Sequence, residues 1–261
     1  VTDEYRLQAA ASVLAESRKL GRPCCRISER FDIASLADAY AVQELNTQAA
    51  LAQGRRLVGR KIGLTSLAVQ QQLGVNQPDF GMLFADMEYR DGDTIDSSRL
   101  IQPKAEGEIA FVLGRDLPNA DTTLGELINA VDFVLPALEI VDSAIEDWKI
   151  TLVDTVADNA SSALYVLGKT PVKLDALDLS LEGMVLEKNG AQAAIGVGAA
   201  CLGNPLDACL WLARTMAQVG RPLQAGDVLL SGALGPMVQV ASGDSLRLRL
   251  TRLGEVGCRF A

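Results

Sequence analysis

Residues 103–114, PKAEGEIAFVLG, pass from two glutamates set one residue apart into a stretch without a single charge. The apolar run from Ile109 to Leu113 reads as a buried strand over 108–113, and a strand alternates its side chains between faces. Glu106 and Glu108 therefore share a face, with Gly107 turned to the other. Two carboxylates entering a core repel each other and lose hydration, so the fold has to place a proton, a basic partner or a cation beside them. A third acid, Glu139, lies in VLPALEIVDS, a second strand-like run where a solvated glutamate is out of place.

Around these acids the periodicity changes along the chain. Residues 3–20 repeat apolar positions at helical spacing through Leu7, Ala11 and Leu14, and stop at Gly21. A second helix follows Ser35, with Asp38 three residues on and Gly54 as its end. A short helix is expected around 65–73, and another runs from Asn204, with Pro205 in its first position, to Gly220. The remainder is strand-like: 133–141, 183–188 turning through Asn189-Gly190 into a partner, 227–231, 245–251 and 256–260. In 245–251, Leu246, Leu248 and Leu250 alternate with Arg247 and Arg249, the pattern of a half-buried antiparallel strand. Runs of strands without regular alternation with helices predict an α+β fold with a mixed, mainly antiparallel sheet. Residues 1–56 form an N-terminal helical region in this reading, and 57–261 a mixed β core that acts as a single unit.

Several function classes drop out. The chain contains no histidine, which removes Ser-His and Cys-His pairs and imidazole metal ligands. Its five cysteines are scattered and lack a metal or redox spacing. A net charge of −9 without long charged runs argues against nucleic acid or an anionic membrane as partner. No apolar stretch approaches the ~18 residues needed to span a bilayer, and a cytoplasmic protein is expected.

The three glutamates admit two explanations. Each could pair with a basic residue, Lys104 being the nearest, or end its strand in water. One lysine does not satisfy two carboxylates on the same face, whereas oxygen-only donors suit Mg²⁺ or Mn²⁺ and leave coordination positions for water or a chelating substrate.

GRKIGLTS, QPDFG, IQPKAEGEIAF, LEIVDS, IEDWKI and VADNASS together resemble the 2-hydroxypenta-2,4-dienoate (2-keto-4-pentenoate) hydratases of bacterial aromatic meta-cleavage pathways, within the fumarylacetoacetate hydrolase superfamily. The resemblance runs from about residue 36 to the C-terminus and is weak in the first helix. It implies a β-sandwich or roll core and a divalent metal held by Glu106, Glu108 and Glu139. It also implies a 2-hydroxydienoate or 2-oxo acid substrate chelating that metal, Lys61 and Asp79 as proton-handling groups, and Ser161 and Leu64 as substrate contacts. Without the resemblance, Lys61 reads as a surface charge, Asp79 as a turn residue beside Pro78, and Ser161 as a cap. A lysine beside a cation in a closing pocket is expected to have a lowered pKa.

The implied reaction ketonises the dienol by moving the 2-hydroxyl proton to C5, then adds water at C4 to give 4-hydroxy-2-oxopentanoate. The resemblance further implies a homo-oligomer and association with a related decarboxylase. Three alternatives stand beside the hydratase. A 2-oxo-3-hexenedioate (4-oxalocrotonate) decarboxylase would use the same cradle. A carbon–carbon hydrolase would want a histidine that is missing. A non-catalytic partner subunit would need none of the five charged residues.

Overall fold

The computed structural model describes residues 3–67, 70–71 and 75–261. The expected helix at 65–73 lies partly outside the described residues. Helix α1 (Asp3–Leu20) packs Ala10, Ala11 and Leu14 against Ala39 and Val42 of α3 (Leu36–Ala52). The short α2 (Ile27–Arg30) and α5 (Leu152–Ala157) complete this small core through Ile27, Val156 and Ala157. Helix α3 starts as its sequence foretells, Ser35 Oγ accepting from the Asp38 N–H at 3.0 Å. Two further helices are α4 (Leu124–Ala130) and α6 (Pro205–Gln218), the latter capped by Asn204.

Among the described residues thirteen strands run in the order β1 (Leu57–Gly63), β2 (Asp79–Phe84), β3 (Glu88–Arg90), β4 (Thr94–Ile95), β5 (Pro103–Leu113), β6 (Val131–Asp142), β7 (Ser162–Leu167), β8 (Gly183–Lys188), β9 (Ala191–Val197), β10 (Val228–Leu230), β11 (Val238–Gln239), β12 (Ser245–Leu250) and β13 (Gly254–Phe260). They form an eight-stranded sheet, β2-β1-β10-β5-β6-β7-β3 with β11 also on β5, and a five-stranded sheet, β4-β13-β12-β8-β9. The β1–β10, β3–β7 and β4–β13 pairs are parallel; the other ladders among the described residues are antiparallel. The expected α+β class with a mixed, mainly antiparallel sandwich holds.

The two sheets meet across Gly107. A methyl group there would lie 2.5 Å from the Met184 sulfur on β8 and 2.7 Å from Leu248 Cδ1 on β12, so the five-stranded sheet packs directly on the face opposite the two glutamates. Gly107→Ala is expected to overpack this contact and lower stability by about 1–3 kcal/mol, read as a fall in Tm.

The structure corrects several boundaries. The strand carrying the glutamates begins at Pro103, because β6 and β11 pair with residues before Glu108, so both acids lie inside a ladder. Asp79 opens β2 and does not sit in a turn; all six residues of β2 are buried, which removes the alternation that would have marked it. β7 was likewise unforeseen, and β3, β4 and β11 are too short to show a period.

Candidate metal centre and active site

Across the β5–β6 ladder Glu106 stands directly opposite Glu139, and Glu108 lies two residues further along the same face. Like charges in opposite register destabilise a ladder, so this arrangement needs compensation. One carboxylate oxygen from each of the three lies within 4.8 Å of the others. Glu108 and Glu139 are fully buried and Glu106 partly so.

The protein supplies little to offset these charges. Glu108 Oε2 accepts from the Gly232 N–H at 3.0 Å, and Glu139 Oε2 lies 3.3 Å from Lys61 Nζ. Glu108 Oε1 and Glu139 Oε1 are buried with no hydrogen-bond partner. Orphaned anionic oxygens at this depth are costly, and a hard divalent cation fits them by donor type, number and spacing. Lys104 does not fill the role, since its ammonium lies 4.1 Å above the Trp148 ring.

Lys61 is the basic partner instead. It projects from β1, yet meets Glu139 on β6 across the intervening β10 and β5, which requires the large sheet to curl around a concave face. The edge strand β2 accordingly touches β7 near the opposite edge. Lys61 is buried, and its ammonium also donates to the Ala160 carbonyl at 3.0 Å. Asp79, paired in register with Gly63 beside it, is buried with Oδ1 unpartnered.

The electrostatics follow from this crowding. Burial, and then Glu139, push the Glu106 carboxyl up to about 7. Burial, reinforced by Glu139 and Glu106, holds Glu108 well above the ordinary glutamate range. Burial also raises Asp79, against the pull of Lys61. For Lys61 burial disfavours the ammonium, but Glu139, Asp79, Glu106 and Glu108 together outweigh burial and raise the pKa; the expected lowering belongs to the site with its cation bound.

A pH dependence follows. A carboxyl whose folded pKa is raised contributes stability that is complete below its ordinary value, here 4.5, and is lost as pH rises through about 7. Metal and proton compete for the same oxygens, so affinity for Mg²⁺ is expected to climb across that window. In EDTA the protein should melt lower at pH 8 than at pH 5. Saturating Mg²⁺ should restore stability at pH 8, by ~2.7 kcal/mol at a hundredfold excess over Kd. Melts that are identical with EDTA and Mg²⁺ at pH 8 would count against the site.

Residues 159–161 complete the wall. Asn159, Ala160 and Ser161 all adopt left-handed backbone conformations, with φ of 55°, 51° and 55°. Such conformations cost non-glycine residues of order 1–3 kcal/mol each and persist only when held from several sides. Asn159 provides one hold, its Oδ1 accepting from the Met82 N–H at 2.7 Å and its Nδ2 donating to the Met82 carbonyl at 3.0 Å. Gly81 permits the approach, since a Cβ there would lie 2.3 Å from the Asn159 carbonyl oxygen.

Ser161 is buried one residue from the carbonyl that Lys61 binds, and its Oγ shares a hydrogen bond of 3.0 Å with Thr155 Oγ1. Leu64 follows β1 with φ of 56°, partly buried, and its carbonyl accepts from Gln70 Nε2 at 2.6 Å. Sequence reasoning missed the Ala160 carbonyl, the Gly232 N–H and Gln43, whose Nε2 donates to Phe80 and Val156 and ties α3 to β2 beside Asp79. Two of these are backbone groups, which no side-chain pattern announces.

The model of the fumarylacetoacetate (FAA) hydrolase C-terminal family matches residues 55–261. A 2-keto-4-pentenoate hydratase of Paraburkholderia xenovorans (strain LB400) is 54% identical over 260 residues, covering 100% of this chain and 96% of the relative. A 2-keto-4-pentenoate hydratase of Dechloromonas aromatica (strain RCB) is 55% identical over 254 residues, covering 97% of each. These alignments take in the first helix, so the resemblance extends further toward the N-terminus than its motifs alone indicated. Among solved structures, 4-oxalocrotonate decarboxylase from Pseudomonas putida G7, complexed with magnesium and adipate, superposes with a TM-score of 0.95 at 37% identity over 100% of this chain and 99% of that one. With the family's core matched from β1 to the C-terminus and full-length relatives at more than half identity, the chain belongs to the fumarylacetoacetate hydrolase family.

Proposed function

We propose that the chain is a hydro-lyase that adds water to 2-hydroxypenta-2,4-dienoate, giving 4-hydroxy-2-oxopentanoate, in aromatic meta-cleavage degradation. The observation that carries the proposal is the cluster of Glu106 with the buried Glu108 and Glu139, whose orphaned oxygens lie beside Lys61 and close to Asp79. Identity of 54% and 55% to named hydratases, against 37% to the decarboxylase, favours hydration over decarboxylation. A non-catalytic subunit would keep the electrostatic cost of the trio with nothing gained from it.

Glu106, Glu108 and Glu139 would hold Mg²⁺ or Mn²⁺, which when bound supplies Lewis-acid polarisation of the substrate's 2-oxo group. The chain's own groups do the rest. Lys61, buried beside Glu139 at 3.3 Å, places its ammonium where the substrate's 2-oxygen becomes anionic as the dienol loses its proton. Asp79 Oδ1, buried without a hydrogen-bond partner, accepts the 2-hydroxyl proton for delivery to carbon. Ser161 and Leu64 contact the substrate beside this pair. The enzyme acts in the cytoplasm as a homo-oligomer, with a related decarboxylase as a candidate partner, and residues 1–56 serve the 57–261 core as a supporting region.

The test generates the unstable dienol in situ and follows its loss with and without Mg²⁺, identifying the product by mass. Magnesium-dependent 4-hydroxy-2-oxopentanoate is expected. Carbon dioxide release from 2-oxo-3-hexenedioate, without hydration of the dienol, would assign the decarboxylase reaction instead. Neither product would leave the non-catalytic reading.

A further inference from the structure

The strained segment 159–161 has a second hold, and it comes from the N-terminal helix. Arg18, in the last turn of α1, donates from Nε to Asp158 Oδ1 at 3.1 Å and from Nη2 to Asp158 Oδ2 at 2.7 Å. The same guanidinium donates from Nη1 to Asp142 Oδ2 at 3.0 Å and from Nη2 to the Asp142 carbonyl. Both aspartates are buried. Asp142 ends β6, three residues after Glu139, and its carboxylate accepts the Ile101 and Gln102 N–H groups leading into β5. Asp158 accepts the Ala144 N–H at 2.8 Å, and its carbonyl accepts the Ser161 N–H at 2.9 Å.

One planar cation thus ties the end of the strand bearing Glu139 to the residue that opens the left-handed segment. Its fork matches two acceptors on Asp158 and two on Asp142, an arrangement that a lysine cannot reproduce. Removing it would leave two buried carboxylates short of their counter-charge at the base of the segment that carries Ser161 and aims the Ala160 carbonyl at Lys61. Helix α1 lies outside the 55–261 family match, so this support is an addition to the shared core.

We propose that Arg18 is a positioning residue for the active site, acting through Asp158 on the conformation of residues 159–161 and hence on Lys61. The proposal deepens the hydratase reading and rests on it only in its kinetic arm. Arg18 lines an open crevice of about 910 Å³ together with Asp158, Asn159 and Ser162, so a small cation can enter the space left by a truncated side chain.

The experiment compares wild type, Arg18→Ala, Arg18→Lys and Asp158→Asn by peptide-level hydrogen exchange on metal-free protein and by steady-state kinetics with Mg²⁺. In Arg18→Ala, exchange across residues 156–163 is expected to accelerate while β12 and β13 keep wild-type protection. Its kcat should fall ~10–100-fold, the loss typical of removing an outer partner of a site residue, with Mg²⁺ affinity unchanged. Millimolar guanidinium should restore both protection and kcat, and methylammonium should restore neither; Arg18→Lys should recover only part. If Arg18→Ala does not fold, Asp158→Asn should show the same localised exchange. Wild-type exchange across 156–163, acceleration spread equally over both sheets, or a kcat loss that guanidinium leaves untouched would overturn the proposal. Absence of hydration in wild type would defeat the functional reading alone, since the exchange arm needs no substrate.

Discussion

Glu108→Gln is expected to do two opposite things at once: nearly abolish turnover, and make the metal-free protein more stable at pH 8. Turnover should be lost because Glu108 offers an orphaned anionic oxygen to the cation, and an amide is a poor substitute. Affinity for Mg²⁺ should drop by more than the ~10–100-fold that losing a ligand's outer partner costs. Stability should rise because burial, Glu139 and Glu106 already push this carboxyl toward its neutral form, which the amide imitates without the charge. Toward pH 5 the gap between variant and wild type should narrow, because burial raises this carboxyl and falling pH protonates it. A glutamate that merely braced the fold would give a less stable variant at both pH values. Thermal melts in EDTA at the two pH values, beside kinetics and metal titration, separate the cases.

Lys61→Met is expected to show the opposite pattern in the metal-free protein. It removes a buried counter-charge facing Glu139 at 3.3 Å with Asp79, Glu106 and Glu108 close by. Breaking such a pair from one side typically costs about 3–5 kcal/mol, so the melt in EDTA at pH 8 should fall sharply. Saturating Mg²⁺ should recover much of the loss, since the cation meets an even more negative cradle. Turnover should remain low with metal present, by ~10²–10⁴-fold, the usual contribution of a proton-handling or charge-stabilising group. Asp79→Asn should lower kcat by a similar order, and the double variant by less than the product of the two, because groups serving one step are not additive. Near wild-type kcat in both single variants would return them to a structural role.

The trio of glutamates was legible in the sequence because charge inside an apolar strand is anomalous, and strand alternation alone places Glu106 and Glu108 on one face. Glu139 was legible for the same reason, although only the β5–β6 register shows it opposite Glu106. Lys61 and Asp79 were different: each has an ordinary local explanation, and family motifs, not spacing, singled them out. The acid that faces Lys61 was not legible, because sequence cannot show that a glutamate on β6, three strands away, curls back to meet β1. β2 was hidden by burial on both faces, which erases alternation. Least legible was the wall at 159–161, where three non-glycine residues take φ near 50° and the groups that hold them, the Met82 backbone, Gly81 and Arg18 through Asp158, come from elsewhere in the chain. Long-range holds of this kind leave no period to read.

Glu106, Glu108 and Glu139 are expected to bind a divalent cation together. Calorimetric titration of EDTA-stripped wild type and Glu108→Gln with Mn²⁺ at pH 7.5 tests it most directly. One saturable ion per chain is expected in wild type, with proton release on binding because burial and Glu139 push the Glu106 carboxyl up to about 7, and sharply weakened binding in the variant. Equal affinity in the two proteins, or heats without saturation in both, would contradict it.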